Sequence, residues 1–175
     1  LHLIKNENYA NILTRKRNFT AMLSARGCPY RCTFCDQKVP PYRRRSAENF
    51  VAEIKRNYEM FGIREFDVYD STFTADRKRV RKICELIDQE NLDVGWTIRS
   101  RVDSVNEKVL DALKLGGVHT IFYGIESSNP ELLKIMKKKI SIQRIEETLA
   151  YTKSLGIDNL GYFMFGFPGE TKQTI

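Results

Sequence analysis

Five short apolar stretches alternate along this chain with amphipathic segments that open on helix caps, and that alternation admits few folds. The stretches are residues 19–25, 66–69, 94–98, 118–125 and 160–165. The fourth is almost continuously apolar, as a strand buried on both faces must be. Between the stretches, Ser46, Asp76, Asn106 and Ser141 each precede a helical pattern, where a side-chain oxygen can take a first-turn amide. Phe50, Val51, Ile54, Tyr58 and Phe61 form one apolar stripe and Val80, Ile83, Cys84 and Ile87 another, at the spacing of a helix face. Val105 and Leu110 fit a hydrophobic staple, Asn129-Pro130 opens a short helix, and Gly62, Gly116 and Gly156 mark stops. Strands separated by helices imply βαβ units and a parallel sheet with outer helices.

A chain of 175 residues with 42% hydrophobic content can bury one real core. The net charge of +7 is gathered into runs at Arg15-Lys16-Arg17, Arg43-Arg44-Arg45, Arg77-Lys78-Arg79 and Lys137-Lys138-Lys139. Such runs read mainly as solvated faces. Arg43 to Arg45 stand apart because they follow a cysteine-rich loop, where they suit an anionic substrate or an acidic electron donor. A basic balance permits nucleic-acid binding, but aromatics are not interleaved with the runs as in a single-strand platform. No apolar run approaches the ~20 residues of a membrane span, and the first residues carry no secretory pattern. Residues 1–18 are polar and basic and read as a linker or an arm. The chain opens on Leu1 and stops at Ile175, just past the start of a new helical pattern, so it reads as a piece of a longer protein.

Cys28, Cys32 and Cys35 carry the chemistry, in the run Arg26-Gly27-Cys28-Pro29-Tyr30-Arg31-Cys32-Thr33-Phe34-Cys35-Asp36. Thiolates are the natural ligands of iron–sulfur clusters, and three cysteines leave one iron of a cubane without a protein ligand. Closed zinc sites want four ligands, and His2, His119 and Cys84 are the remaining soft side chains, none with a paired spacing. Cys84 sits on a helical apolar face and reads as core. An odd triplet outside a disulfide framework argues against disulfides and for a reducing, cytoplasmic compartment. In parallel βα folds the site lies at the carboxyl ends of the strands. Those ends here carry the cysteine loop, Asp70-Ser71-Thr72, Arg99-Ser100-Arg101, Glu126-Ser127-Ser128 and the Gly166 to Glu170 turn. Each cluster also has a plain structural reading: a turn at Asp70, a lysine partner for Glu126, solvated Arg99 and Arg101.

The cysteine spacing, with Phe34 just before the last thiol, resembles the radical S-adenosylmethionine (radical SAM) family, and the likeness runs from about Phe19 to Glu170. The resemblance implies a partial TIM-type (β/α) barrel over residues 19–175, truncated relative to a full (β/α)6 core. It implies that Cys28, Cys32 and Cys35 hold a 4Fe-4S cluster. The cluster's open iron would chelate S-adenosylmethionine and cleave it reductively to a 5′-deoxyadenosyl radical, which takes hydrogen from an unknown substrate, small molecule or macromolecule. By position, Phe34 would pack near the adenine and Asp70, Ser71 and Thr72 would meet the methionine amino group. Arg99, with Arg101 as its rival, would take the methionine carboxylate. Glu126 would accept the ribose hydroxyls, and the Gly161 to Gly166 stretch would pass the adenine. Tyr69-Asp70-Ser71-Thr72-Phe73 replaces the Gly-Gly-Glu of many members. The motifs resemble most the cobalamin-associated subgroup, whose cobalamin domain would lie before Leu1; transfer-RNA methylthiotransferases share several of them. A low-potential donor such as flavodoxin or ferredoxin is the implied partner. The competing reading is a zinc- or cluster-bearing nucleic-acid-binding module.

Overall fold

The structure, a computed structural model, describes residues 13–36 and 41–175. Its main sheet is parallel throughout and runs in the order β1 (Phe19–Met22), β4 (Glu65–Val68), β5 (Gly95–Ser100), β6 (Val118–Glu126), β7 (Asp158–Phe163). A sheet whose strands follow chain order, each joined to the next through a crossover, is the arc of a (β/α) barrel. The covering helices are α1 (Ala47–Phe61), α2 (Arg77–Gln89), α3 (Glu107–Leu115), α4 (Pro130–Ile135) and α5 (Ile142–Ser154). The expected caps are in place: Ser46, Asp76, Asn106 and Ser141 each accept a first-turn amide, and Asn129 accepts two ahead of the Pro130 start.

The core lies between sheet and helices. Phe50, Phe66, Phe73 and Trp96 are at most 1% exposed, and Phe73 meets the Trp96 ring edge-on at 5.3 Å. Trp96 donates its indole N–H to the Gly116 carbonyl at 2.6 Å, so this large ring is buried with its polar atom satisfied. Cys84 belongs to this core, and burial pushes its thiol up to about 12.

The first strand differs from the sequence reading of 19–25. It leaves the sheet after Met22, and Ala25–Arg26 (β2) instead pairs antiparallel with Arg43–Arg44 (β3). The cause is a side chain: Asp70 takes the backbone N–H groups of Ser24 (2.7 Å) and Ala25 (2.9 Å), which removes them from any ladder with β4. The last strand begins at Asp158, two residues before the apolar stretch, and stops at Phe163. Of the expected arm, residues 1–12 lie outside the described residues; Lys16 donates its backbone N–H to the buried Glu65 carboxylate at 3.1 Å.

Candidate active site

The carboxyl ends of the strands surround a hollow of about 300 Å³, lined by residues from the cysteine loop and from the ends of β4, β5, β6 and β7. The cysteine loop reaches it because β2 and β3 close its base, and because the loop is docked on the turn after α4. Thr33 donates its backbone N–H to the Met136 carbonyl at 3.1 Å and its hydroxyl to the Ile135 carbonyl at 3.2 Å. Cys32 is buried, Cys28 and Cys35 are half-buried, and all three face the hollow.

The donor set fits an iron–sulfur cluster better than zinc. A closed tetrahedral zinc site takes four protein ligands, and the loop offers three thiols. Neither described candidate for a fourth ligand is at hand. His119 stands at the other end of β6, seven residues and about 23 Å from Glu126 along the strand, where it bonds the Glu65 carboxylate at 2.5 Å. Cys84 is a buried residue of α2 packed against Gly116: a Cβ on that glycine would stand 2.9 Å from the Cys84 sulfur. Three thiols on an open hollow leave room for a cluster with one iron free to bind a ligand.

Most of the predicted site residues come together here. Phe34, Asp70, Ser71, Thr72, Arg99, Arg101 and Glu126 all line the hollow beside the cysteines. Their side chains are engaged differently. Asp70 is 1% exposed, and its carboxylate accepts from the Ser24 amide and hydroxyl and the Ala25 amide. Burial raises its pKa, while those hydrogen bonds and the Arg79 charge pull it back. The acid therefore shapes the entry of the cysteine loop. The Thr72 hydroxyl lies 3.5 Å from the Cys28 sulfur.

The two arginines have separate surroundings. Arg99 forks onto the Asp67 carboxylate, with its guanidinium 3.9 Å from the Tyr69 ring centre and 4.7 Å from that of Phe122. Arg101 is buried and held by Asp103 at 2.8 and 2.9 Å, by the Lys138 carbonyl at 2.5 Å and by the Tyr30 ring at 4.1 Å. It donates to the Cys32 sulfur at 3.2 Å. Burial works against its charge, but the hydrogen bond and charge of Asp103, with Cys32 and Tyr30, outweigh that and raise its pKa.

Glu126 is turned toward the hollow by a break in β6. Its register against β7 shifts between Gly124 and Glu126, leaving Ile125 as the extra residue of a bulge, and Glu126 itself takes φ 71°. The Lys138 ammonium lies 3.3 Å from its carboxylate. Gly161 and Gly166 lie outside the lining. A Cβ on Gly161 would press on Ile125 and Phe163 at 3.0 and 3.1 Å, whereas Gly166, at φ 80°, has open space around it.

Sequence reasoning missed Lys138, Tyr69, Phe122 and Tyr162, which complete the walls. Phe122 and Tyr162 stack at 5.6 Å on neighbouring strands. The side-chain alternation of β6 and β7 carried that signal, since both rings project to the same face of the sheet. Lys138 left no such signal inside its lysine run.

The chain is similar to known proteins in sequence and fold. The family described as the Radical SAM superfamily matches residues 22–175. An uncharacterized methyltransferase of Pyrococcus horikoshii is 38% identical over 160 residues, which cover 90% of this chain and 35% of that protein. The cobalamin-dependent S-adenosylmethionine radical enzyme OxsB, solved with aqua-cobalamin, superposes with a TM-score of 0.74 at 26% identity, over 82% of this chain and 23% of that one. The radical S-adenosylmethionine methyltransferase TsrM of Kitasatospora setae, solved with cobalamin and a [4Fe-4S] cluster, shares the fold with a TM-score of 0.80 at 23% identity, over 90% of this chain and 33% of that one. The chain thus spans about a third of the length of the curated relative it matches.

Proposed function

The chain belongs to the radical SAM superfamily, enzymes that use a 4Fe-4S cluster and S-adenosylmethionine, and from that premise we propose the role of each wall of its hollow. Residues 19–175 are the barrel core. Cys28, Cys32 and Cys35 hold the cluster, which when bound supplies the electron that cleaves the sulfonium. The observation that carries this reading is the convergence of the three thiols with Arg99, Arg101 and Glu126 on one hollow.

This chain's own groups bind and orient the cofactor. Glu126 accepts the ribose hydroxyls, for which a carboxylate has two acceptor oxygens. Both arginines are ion-paired within the fold, Arg99 to Asp67 and Arg101 to Asp103; Arg99, set against the Tyr69 and Phe122 rings of the wall, is the partner for the methionine carboxylate, with Arg101 as its rival. The stacked Phe122 and Tyr162 give the adenine an apolar wall beside Phe34. Asp70 acts through backbone by fixing where the cysteine loop begins.

The overall reaction belongs to the larger protein. The likeness to a methyltransferase, and to enzymes solved with cobalamin, favours methyl transfer with a cobalamin held outside this chain. The basic edge formed by Arg26, Arg43 and Arg44 beside the cysteine loop suits an acidic, low-potential electron donor in the cytoplasm. The described residues contain no helix long and apolar enough to cross a membrane.

The test is anaerobic reconstitution with iron and sulfide, then dithionite and S-adenosylmethionine, with 5′-deoxyadenosine and S-adenosylhomocysteine followed by mass spectrometry. Turnover that disappears in Cys28→Ser, Cys32→Ser and Cys35→Ser supports the reading. Cleavage that survives loss of any one cysteine sinks it.

A further inference from the structure

Lys138 sits in the middle of a basic run, yet its side chain is 3% exposed and forms part of the wall of the hollow. Its ammonium donates to the Gly124 carbonyl at 2.8 Å and to one carboxylate oxygen of Glu126, Oε1, at 3.3 Å. Three departures from ordinary backbone converge on that pair. Glu126 follows the β6 bulge and takes φ 71°, in the left-handed region that non-glycine residues seldom enter. Lys137 and Lys139, on either side of Lys138, take φ 55° and 53°. At Gly124 a Cβ would stand 2.7 Å from Glu126 Oε1 and 3.1 Å from Lys138 Nζ, so only glycine leaves the notch the pair occupies.

The turn that carries Lys138 is pinned at both ends to the rest of the site. Its backbone N–H bonds the Leu133 carbonyl at 3.0 Å, its carbonyl takes Arg101 at 2.5 Å, and the Met136 carbonyl takes Thr33 of the cysteine loop. The described residues tie Glu126 Oε1 to the lysine and give its second oxygen no partner. Strained backbone of this kind persists only where its surroundings over-determine it, and it gathers at ligand-holding sites.

We propose that Lys138 is a positioning residue: it fixes the Glu126 carboxylate in the orientation that accepts the ribose hydroxyls of S-adenosylmethionine. Gly124 is the notch that makes this possible. The proposal rests on the reading of Glu126 given above and adds a residue that acts on ligand only through it.

The test compares equilibrium binding of S-adenosylmethionine and its 2′,3′-dideoxy analogue to the reconstituted, cluster-loaded protein, with iron content and thermal midpoint recorded for each variant. Hydrogen bonds to a charged acceptor are worth roughly tenfold or more in affinity, so the wild type should prefer the ribose form by about that factor. In Lys138→Met, which keeps the stem and removes the charge, the preference should fall to roughly threefold or less while iron content holds. Gly124→Ala keeps both charged groups and displaces the pair, so it should lower the same ratio, and it decides the matter where Lys138→Met fails to fold. Glu126→Gln separates the two layers of argument. A ratio reduced by Glu126→Gln but untouched by Lys138→Met and Gly124→Ala overturns the role of Lys138 alone. A ratio untouched by Glu126→Gln overturns the ribose reading, and the proposal with it.

Discussion

Four cysteines divide into two chemical kinds by where they sit. Cys28, Cys32 and Cys35 line the hollow; Cys84 is 3% exposed inside the core. Cys32→Ala is expected to abolish cluster loading while leaving the fold intact, because the loss falls on a loop. Iron analysis with circular dichroism checks this, and unfolding comparable to that of a core mutant would contradict it. Cys84→Ala should leave iron content unchanged. Cys84 also gives stability a pH dependence. Burial raises its folded pKa from 9.0 to about 12, and burial likewise raises that of Tyr123 from 10.0 to about 12. A raised folded pKa means that the unfolded chain releases its proton first as pH climbs. The stabilisation is therefore complete below pH 9 and is lost progressively between pH 9 and about 12. Urea midpoints across that window should fall in the wild type and fall less steeply in Cys84→Ala; parallel slopes would show that the thiol is not what titrates. The cysteine triplet and the core place of Cys84 were legible in the sequence because spacing and periodicity are local. Lys138 was not, since a buried lysine within three consecutive lysines has the same pattern as a solvated face, and only the fold reveals which one turns inward.

Elements form here for reasons the sequence states openly at helix starts and hides at strand ends. Ser46→Ala should cost about 1 kcal/mol, since the Ser46 hydroxyl holds the Asn49 amide at 3.1 Å. The α3–β6 turn is less forgiving. Gly117 takes φ 91°, and a Cβ there would stand 2.2 Å from the Val94 carbonyl oxygen. Gly117→Ala should therefore destabilise by ~2–4 kcal/mol. Denaturant unfolding measures both, and a Gly117→Ala protein as stable as Ser46→Ala would contradict the clash. The parallel sheet and all the helix caps could be read from alternation and cap residues. The β2–β3 pairing could not, because Ala25-Arg26 and Arg43-Arg44 have no apolar alternation, and Asp70, 45 residues beyond Ala25, redirects the chain. The bulge at Ile125 was hidden as well: register is a relation between β6 and β7, and neither strand alone carries it.

For the molecule as a whole, a five-stranded parallel arc brings groups from distant parts of the chain to one edge: Cys32 and Arg101 touch across 69 positions. The opposite ends of the strands hold a different polar group, the His119–Glu65 pair, whose partners are all within the fold. This asymmetry matches the general division of such folds, in which the carboxyl edge carries sites and the other edge serves stability. The chain spans about a third of the length of the Pyrococcus horikoshii methyltransferase it matches. The central claim, that three cysteines hold a cluster with one iron open to S-adenosylmethionine, belongs to this scale, since it needs the loop, the strand ends and the hollow together. Electron paramagnetic resonance of the reconstituted, reduced protein with and without S-adenosylmethionine tests it most directly. The account predicts a reduced 4Fe-4S signal whose shape and g-values change when the ligand is added. A cluster signal that is identical in its presence and absence would contradict it.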